Sequence, residues 1–328
     1  MLKDRWGRPV TYLRVSVTDR CNFRCVYCMP AEGIVRQEHS AILTYEEITQ
    51  IVRVAAEEGV REVRLTGGEP LVRQDLPVLV RMIAAIPGIE DLSLTTNGLL
   101  LDRMAQPLAD AGLKRINVSL DTLNPERFRR ITRGGDISRV LRGLNAAQAV
   151  GLYPIKINVV AMRGVNDDEL EDMARLTLER DWNVRFIELM PISNQTPWGD
   201  GFPHPDSMYF PIQEMLRRLA PLGLEALEHK VGSGPSRAYK LRGAKGAIGF
   251  ISPLGESFCE ECNRLRLTAD GHLRPCLMSS VEVPMLPALR EGKAVLPLLQ
   301  QAIDLKPQGH ELAHQEAPSG RCMMQIGG

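Results

Sequence analysis

Val17-Thr18-Asp19-Arg20-Cys21-Asn22-Phe23-Arg24-Cys25-Val26-Tyr27-Cys28-Met29-Pro30 carries three cysteines at the spacing C-x3-C-x2-C. Thiolates bind soft metals and iron–sulfur clusters. Three of them suit a cubane of four irons and leave one iron without a protein ligand, where a small molecule can bind. The bacterial ferredoxin run spaces its cysteines C-x2-C-x2-C and recruits a fourth. Here the spacing differs and no further Cys follows nearby. A disulfide reading is poor, because three is odd and nothing marks the chain for export. A zinc site needs a fourth ligand, for which His39 is the nearest histidine.

The loop follows a strand expected over 12–18, and the chain outward from it alternates strand and helix. Thr44 is read as the cap of a helix reaching 58, with Glu47 as its capping-box partner. Further strands are expected over 62–66, 91–96, 115–120, 153–161 and 184–190. Helices are expected over 75–85, 101–111, 137–150 and 168–180. Six βα units imply a parallel sheet with right-handed crossovers. They are too few for a closed eight-stranded barrel. The expected class is therefore α/β, a partial, six-unit βα TIM-type barrel, with a doubly wound sheet as the alternative. Ligands belong at the C-terminal ends of such strands.

Composition fits this reading. Of 328 residues 44% are hydrophobic, enough for a sizeable core. Lys plus Arg equals Asp plus Glu at 40 each, which argues against a general binder of nucleic acid or anionic membrane. Residues 1–10 carry charges and no apolar run, unlike a signal peptide, and no stretch is long enough to span a membrane. Seven cysteines without an export signal suggest a reducing, cytoplasmic compartment and metal ligation.

Polar or Gly-rich motifs fall at the predicted strand ends: Gly67-Gly68-Glu69-Pro70, Thr95-Thr96-Asn97-Gly98, Ser119-Leu120-Asp121 and Glu188-Leu189-Met190-Pro191. Singly each is loop punctuation. Together with the cysteine loop they favour one shared site. After Pro191 the texture changes. Residues 191–211 read as a loop and 210–219 as a helix. Short strands are expected over 238–241, 247–252 and 265–268, helices over 285–290 and 295–303, and a flexible polar segment over 306–319. The expected division is a core over 1–230 and a C-terminal extension over 231–328.

The extension holds a second set, Cys259, Cys262 and Cys276, spaced C-x2-C-x13-C. Structural zinc, with His272 as fourth ligand, competes with a second iron–sulfur cluster. The first set tips the balance toward a cluster. Cys322 is left over, and its place in a tail favours an idle thiol over a fourth ligand. Arg264 and Arg266 alternate on a predicted strand and face one side. Arg14, Arg64 and Lys156 lie in strands whose inner faces line a barrel. Five cations converging on one cavity suggest a triphosphate.

The C-x3-C-x-aromatic-C pattern resembles the radical S-adenosylmethionine (SAM) superfamily. From Gly7-Arg8-Pro9 through the second cysteine set to Ile326-Gly327-Gly328 the chain is similar to one of its families, the GTP 3′,8-cyclases, also called molybdenum cofactor biosynthesis protein A. The resemblance implies that Cys21, Cys25 and Cys28 hold a 4Fe–4S cluster whose open iron chelates SAM, and that Cys259, Cys262 and Cys276 hold a second whose open iron takes guanine. It implies SAM contacts at Tyr27, Gly68, Ser119 and Met190. It implies GTP contacts at Arg14, Arg64, Thr95, Lys156 and Arg264-Leu265-Arg266. It gives Gly327 and Gly328 a place at the radical site, and two residues without side chains can thread a channel that a Cβ would block. The implied reaction starts with reductive SAM cleavage. The deoxyadenosyl radical takes the 3′ hydrogen of GTP, and C3′ then attacks C8, early in molybdenum cofactor synthesis. An electron donor and a downstream cyclic pyranopterin monophosphate synthase are the implied partners. Oligomeric state is left open, with a homodimer among the options. No acid or base is assigned. Two alternatives are a radical SAM enzyme with an auxiliary cluster acting on a peptide, and a non-catalytic iron–sulfur or zinc binding module.

Overall fold

Apolar residues at every second position of short strands, and at helical spacing between them, build the sheet first. In the computed structural model the order begins β1 (Tyr12–Ser16), α1 (Tyr45–Glu57), β2 (Glu62–Thr66), α2 (Leu76–Ala84), β3 (Asp91–Thr96) and α3 (Leu101–Asp110). It continues β4 (Arg115–Ser119), α4 (Pro125–Thr132), α5 (Ile137–Ala149), β5 (Ile155–Ala161), α6 (Leu170–Glu179) and β6 (Trp182–Glu188). The remainder is α7 (Ile212–Leu219), β7 (Leu224–Ala226), β8 (Arg237–Leu241), β9 (Ile248–Ile251), β10 (Arg264–Leu267), β11 (His272–Arg274), β12 (Val283–Pro284), α8 (Leu286–Arg290) and α9 (Leu296–Asp304). The structure describes residues 1–35, 37–190, 192, 198–199, 201–228, 234–255, 258–310 and 321–327. Pro191, Gly328 and positions 311–320 of the polar tail segment lie outside them.

Local chemistry explains the helix starts. Thr44 Oγ1 accepts from Glu47 N at 3.2 Å and Glu47 returns a bond to Thr44 N at 2.8 Å, the capping box expected from sequence. α4 was not anticipated, although its signals are present. Asn124 Oδ1 accepts from Arg127 N at 3.0 Å, and Pro125 occupies the first helical position.

Strands β1 to β6 pair in sequence order, all parallel, as the six-unit partial barrel requires. The sheet does not end there. β9 adds parallel to β6 at one edge, and β10 adds parallel to β1 at the other. The order is β12-β11-β10-β1-β2-β3-β4-β5-β6-β9-β8-β7. Strands beyond residue 230 therefore flank the core on both sides, and the boundary at 230/231 divides the chain but not the sheet. The segment from Ile251 to Arg264 must cross from one edge of the open barrel to the other, and it carries Cys259 and Cys262.

Register separates two faces. Leu13, Val63, Leu92 and Leu265 align across four strands and are all buried in one core under the helices. On the alternate positions Arg266, Arg14, Arg64 and Ser93 align and face inward. Among the described residues no helix is long and apolar enough to cross a membrane.

Candidate active site

The first cysteine loop leaves the C-terminal end of β1 and is stitched to its neighbours by backbone. Gly68 N donates to Thr18 O at 2.9 Å and Glu69 N to Arg20 O at 2.7 Å. Arg24 N and Val26 N donate to Thr132 O and Ile131 O of α4. A Cβ on Gly68 would stand 2.3 Å from Arg20 O and 2.8 Å from Met324 Cε, so only glycine permits this approach. Burial pushes the Cys21 thiol up to about 11. It raises Cys25 and Cys28 further, and the charges of neighbouring cysteines add to the rise. Three thiols so placed form a stable trianion only around a cation.

The rim carboxylates are locked. Glu69 is 1% exposed and accepts from Leu71 N, Thr96 Oγ1 and Asn97 N. Burial pushes it up to about 7 against those bonds. Asp121 Oδ2 accepts from the Tyr27 hydroxyl at 2.8 Å and Oδ1 from Val160 N at 2.9 Å. Burial raises it to about 6.

The second set lies at the opposite end of the same strands. Arg264, two residues after Cys262, pairs with Tyr12, the first residue of β1, and β11 runs antiparallel back so that Cys276 follows Arg274 at that end. Five residues of strand separate the two ends by roughly 16 Å. Burial raises the Cys276 thiol. At Cys262 the same burial is outweighed by Lys306, Arg264 and hydrogen bonds, and the thiol is shifted downward.

A cavity of about 250 Å³ runs between the ends. Tyr27, Ser119 and Met190 line it near the first loop, and Cys259, Cys262 and Cys276 line the far end. Arg14, Arg64, Thr95, Arg185, Arg264 and Arg266 lie between. Burial, followed by like charges nearby, depresses Arg64 to about 10 and Arg185 to about 9, and takes Arg266 well below its ordinary value. Their hydrogen bonds go to neutral acceptors: Ser93 Oγ, Asn117 Oδ1, and the Ile326 and Gly327 carbonyls. Tyr12 sits between the Arg64 and Arg264 guanidiniums at 5.2 and 6.0 Å. Thr95 Oγ1, Asn158 Oδ1 and Arg185 Nε are buried and without a partner among the described residues. A buried run of cations facing orphan polar atoms fits a large polar anion.

The tail enters this space. Gly327 O accepts from Arg14 Nε at 3.1 Å and Arg266 Nη1 at 2.7 Å, with Gly327 at φ +68° and its missing Cβ 3.0 Å from Thr66 Cγ2. Arg321 anchors it through Asp270 at 2.9 Å and Glu282 at 2.7 Å. Cys322 precedes the helical turn Met323–Ile326, and Met323 lines the cavity.

Two expected residues stand elsewhere. Leu265 points its side chain into the core, because the two-residue period turns it away from Arg264 and Arg266. Lys156 lines a small adjoining pocket with Arg185, and burial lowers it to about 7. Arg185 was missed from sequence, although a lone cation between Val184 and Phe186 in a strand is an inward-facing signal. Arg8, Lys306 and His310 were missed as well, having only tertiary contacts to reveal them.

Residues 15–177 match the radical SAM superfamily, and residues 182–312 match Molybdenum Cofactor Synthesis C. The GTP 3′,8-cyclase of Alkaliphilus metalliredigens is 47% identical over 330 residues, covering 100% of both chains. That of Heliobacterium modesticaldum is 49% identical over 331 residues, covering 99% of each. Among solved structures, Streptococcus suis SuiB bound to S-adenosylmethionine superposes with a TM-score of 0.59 at 15% identity, over 85% of this chain and 64% of that one, a likeness of fold alone. The chain thus belongs to the GTP 3′,8-cyclase family of radical SAM enzymes.

Proposed function

We propose that the cavity binds SAM at the Cys21, Cys25 and Cys28 end and GTP between there and the second cysteine set, and that the enzyme cyclises GTP to (8S)-3′,8-cyclo-7,8-dihydroguanosine 5′-triphosphate for molybdenum cofactor synthesis. The observation that carries this reading is the run of half-buried Arg14 and buried Arg64, Arg185 and Arg266 between two cysteine sets, each of three thiols. Radical SAM membership makes a 4Fe–4S cluster and SAM the cofactors, and the cyclase family adds a second cluster. The donors suit both, three thiols apiece leaving one iron open. When bound, the first cluster supplies the electron that cleaves SAM to a deoxyadenosyl radical.

The chain's own part is to position and to shield. Tyr27, Gly68, Ser119 and Met190 face SAM, with Asp121 holding the Tyr27 hydroxyl. Arg14, Arg64, Arg264 and Arg266 bind the triphosphate with Thr95, and Lys156 supports it from the adjoining pocket through Arg185. Leu265 offers GTP its backbone only. Gly327, whose carbonyl Arg14 and Arg266 hold, helps organise the radical site. A peptide substrate would leave the buried guanidiniums without an anion, which disfavours that alternative. An external electron donor and a downstream enzyme that receives the cyclic nucleotide complete the assignment. Seven free thiols suit a reducing, cytoplasmic setting.

Anaerobic iron and sulfide counting, combined with SAM cleavage assayed with and without GTP, tests the reading. Two clusters and GTP-dependent formation of the cyclic product are expected. SAM cleavage with no nucleotide product would overturn the substrate assignment.

A further inference from the structure

Lys306 follows α9 and is 2% exposed. Its Nζ donates to Cys262 Sγ at 3.3 Å, to Arg264 O at 2.7 Å and to Pro275 O at 3.1 Å. An ammonium has three N–H donors and no acceptor, and these three contacts use them all. None of the three partners is a carboxylate. Burying a cation without an anion is costly, so the contact demands negative charge nearby. The thiolate of a metal-bound Cys262 is that charge.

A second buried cation holds the lysine in place. Arg8 Nε pairs with Asp4 Oδ2 at 2.6 Å, while its Nη atoms donate to Cys259 O at 2.6 Å, Gln308 O at 2.8 Å and Pro307 O at 2.6 Å. Arg8 thus has its own carboxylate and binds only backbone. Lys306 has a cysteine sulfur where that carboxylate would be.

We propose that Lys306 is a positioning residue of the second iron–sulfur cluster, donating a charge-assisted hydrogen bond to the Cys262 thiolate while pinning the segments that carry Cys262 and Cys276. This rests on the reading that the second cysteine set holds a cluster. Outer partners of metal ligands orient them and tune the metal. A donor at the sulfur also stabilises the more negative, reduced cluster and raises its potential.

The test uses the full chain with Cys21, Cys25 and Cys28 all replaced by Ala, so that only the second set can take iron. Lys306→Met and Lys306→Arg are introduced into it, and into the otherwise unaltered enzyme. Lys306→Met is expected to lose iron to a chelator about ten- to a hundredfold faster. Its cluster potential moves to a more negative value, and the iron-free chain melts only slightly lower, because Arg264 O and Pro275 O lose a donor. Lys306→Arg stays close to the parent. Unchanged iron release and potential in Lys306→Met overturn the proposal. So does faster release with an equal loss of iron-free stability, which means a fold pin and no role at the sulfur. If Lys306→Met does not fold, Lys306→Gln, which keeps a donor for the carbonyls without the charge, is read by the same criteria. A parent chain that binds no iron refutes the cluster reading itself, an outcome separate from failure of the lysine.

Discussion

The two cysteine sets share a spacing logic and differ in how the fold holds them. Cys21, Cys25 and Cys28 sit on a loop fixed by backbone bonds to Gly68, Glu69, Ile131 and Thr132, and the thiols are pushed up. Cys259, Cys262 and Cys276 are gathered from two segments and tied by buried cations, Arg8 and Lys306. A contiguous loop needs little tertiary help to bring its donors together. A set split by thirteen residues depends on it. The first end is also crowded with rim motifs that approach closely, and the second is a crossing between sheet edges.

The largest expected effect separates the ends outright. Replacing Cys21, Cys25 and Cys28 with Ala removes about half the iron and all SAM cleavage. Replacing Cys259, Cys262 and Cys276 removes the other half, keeps SAM cleavage, and stops cyclisation. Equal loss of SAM cleavage in both triple variants would erase the distinction.

The tail closes on the middle of the sheet, where Arg14 and Arg266, register partners on β1 and β10, both hold the Gly327 carbonyl. Deleting Gly327 and Gly328 should abolish cyclisation with cluster content and melting temperature near wild type. Full cyclisation by the truncated enzyme would show that the tail is dispensable.

Neighbours on β10 should separate binding from stability. Arg266→Ala loses a charge-assisted contact of ~1.5–3 kcal/mol, roughly ten- to a hundredfold in GTP affinity, with guanosine affinity little changed. Leu265→Ala opens the core at ~2–5 kcal/mol of stability and leaves GTP affinity near wild type. Isothermal titration and thermal melting of both variants check the pair, and a GTP defect in Leu265→Ala without destabilisation would reverse the facing.

The smallest effect is a pH slope at the first end. Glu69 titrates near about 7 folded, above its ordinary 4.5, so the native state holds the proton more tightly. That contribution is fully present below about 4.5 and is lost as pH rises through about 7, at ~1.4 kcal/mol per pKa unit. Denaturant melts of the iron-free chain should show stability falling across this window, and Glu69→Gln should flatten the fall. Asp270, in the turn after β10 at the same end of the sheet, is shifted the other way: His272, Arg321 and Thr268 outweigh its burial. A wild-type slope that rises through the same window would contradict the assignment.

Much of this was legible along the chain. The alternating apolar pattern yielded the six parallel units, the Thr44–Glu47 capping box announced α1, and both cysteine spacings marked metal donors, because each is a local property of a few adjacent residues. The inward side of β10 was readable from its two-residue period, which should equally have turned Leu265 away. Tertiary structure alone decided that β9 and β10 extend opposite edges of the sheet, that the second cysteines lie at the N-terminal end of β1, that Arg185 faces the cavity and Lys306 a thiol, and that Arg8 ties the Cys259 backbone. Those relations join residues as much as 252 positions apart, as Tyr12 and Arg264 are, and no local periodicity encodes them. They arise because a buried cation must find whichever acceptors the packed sheet brings to it.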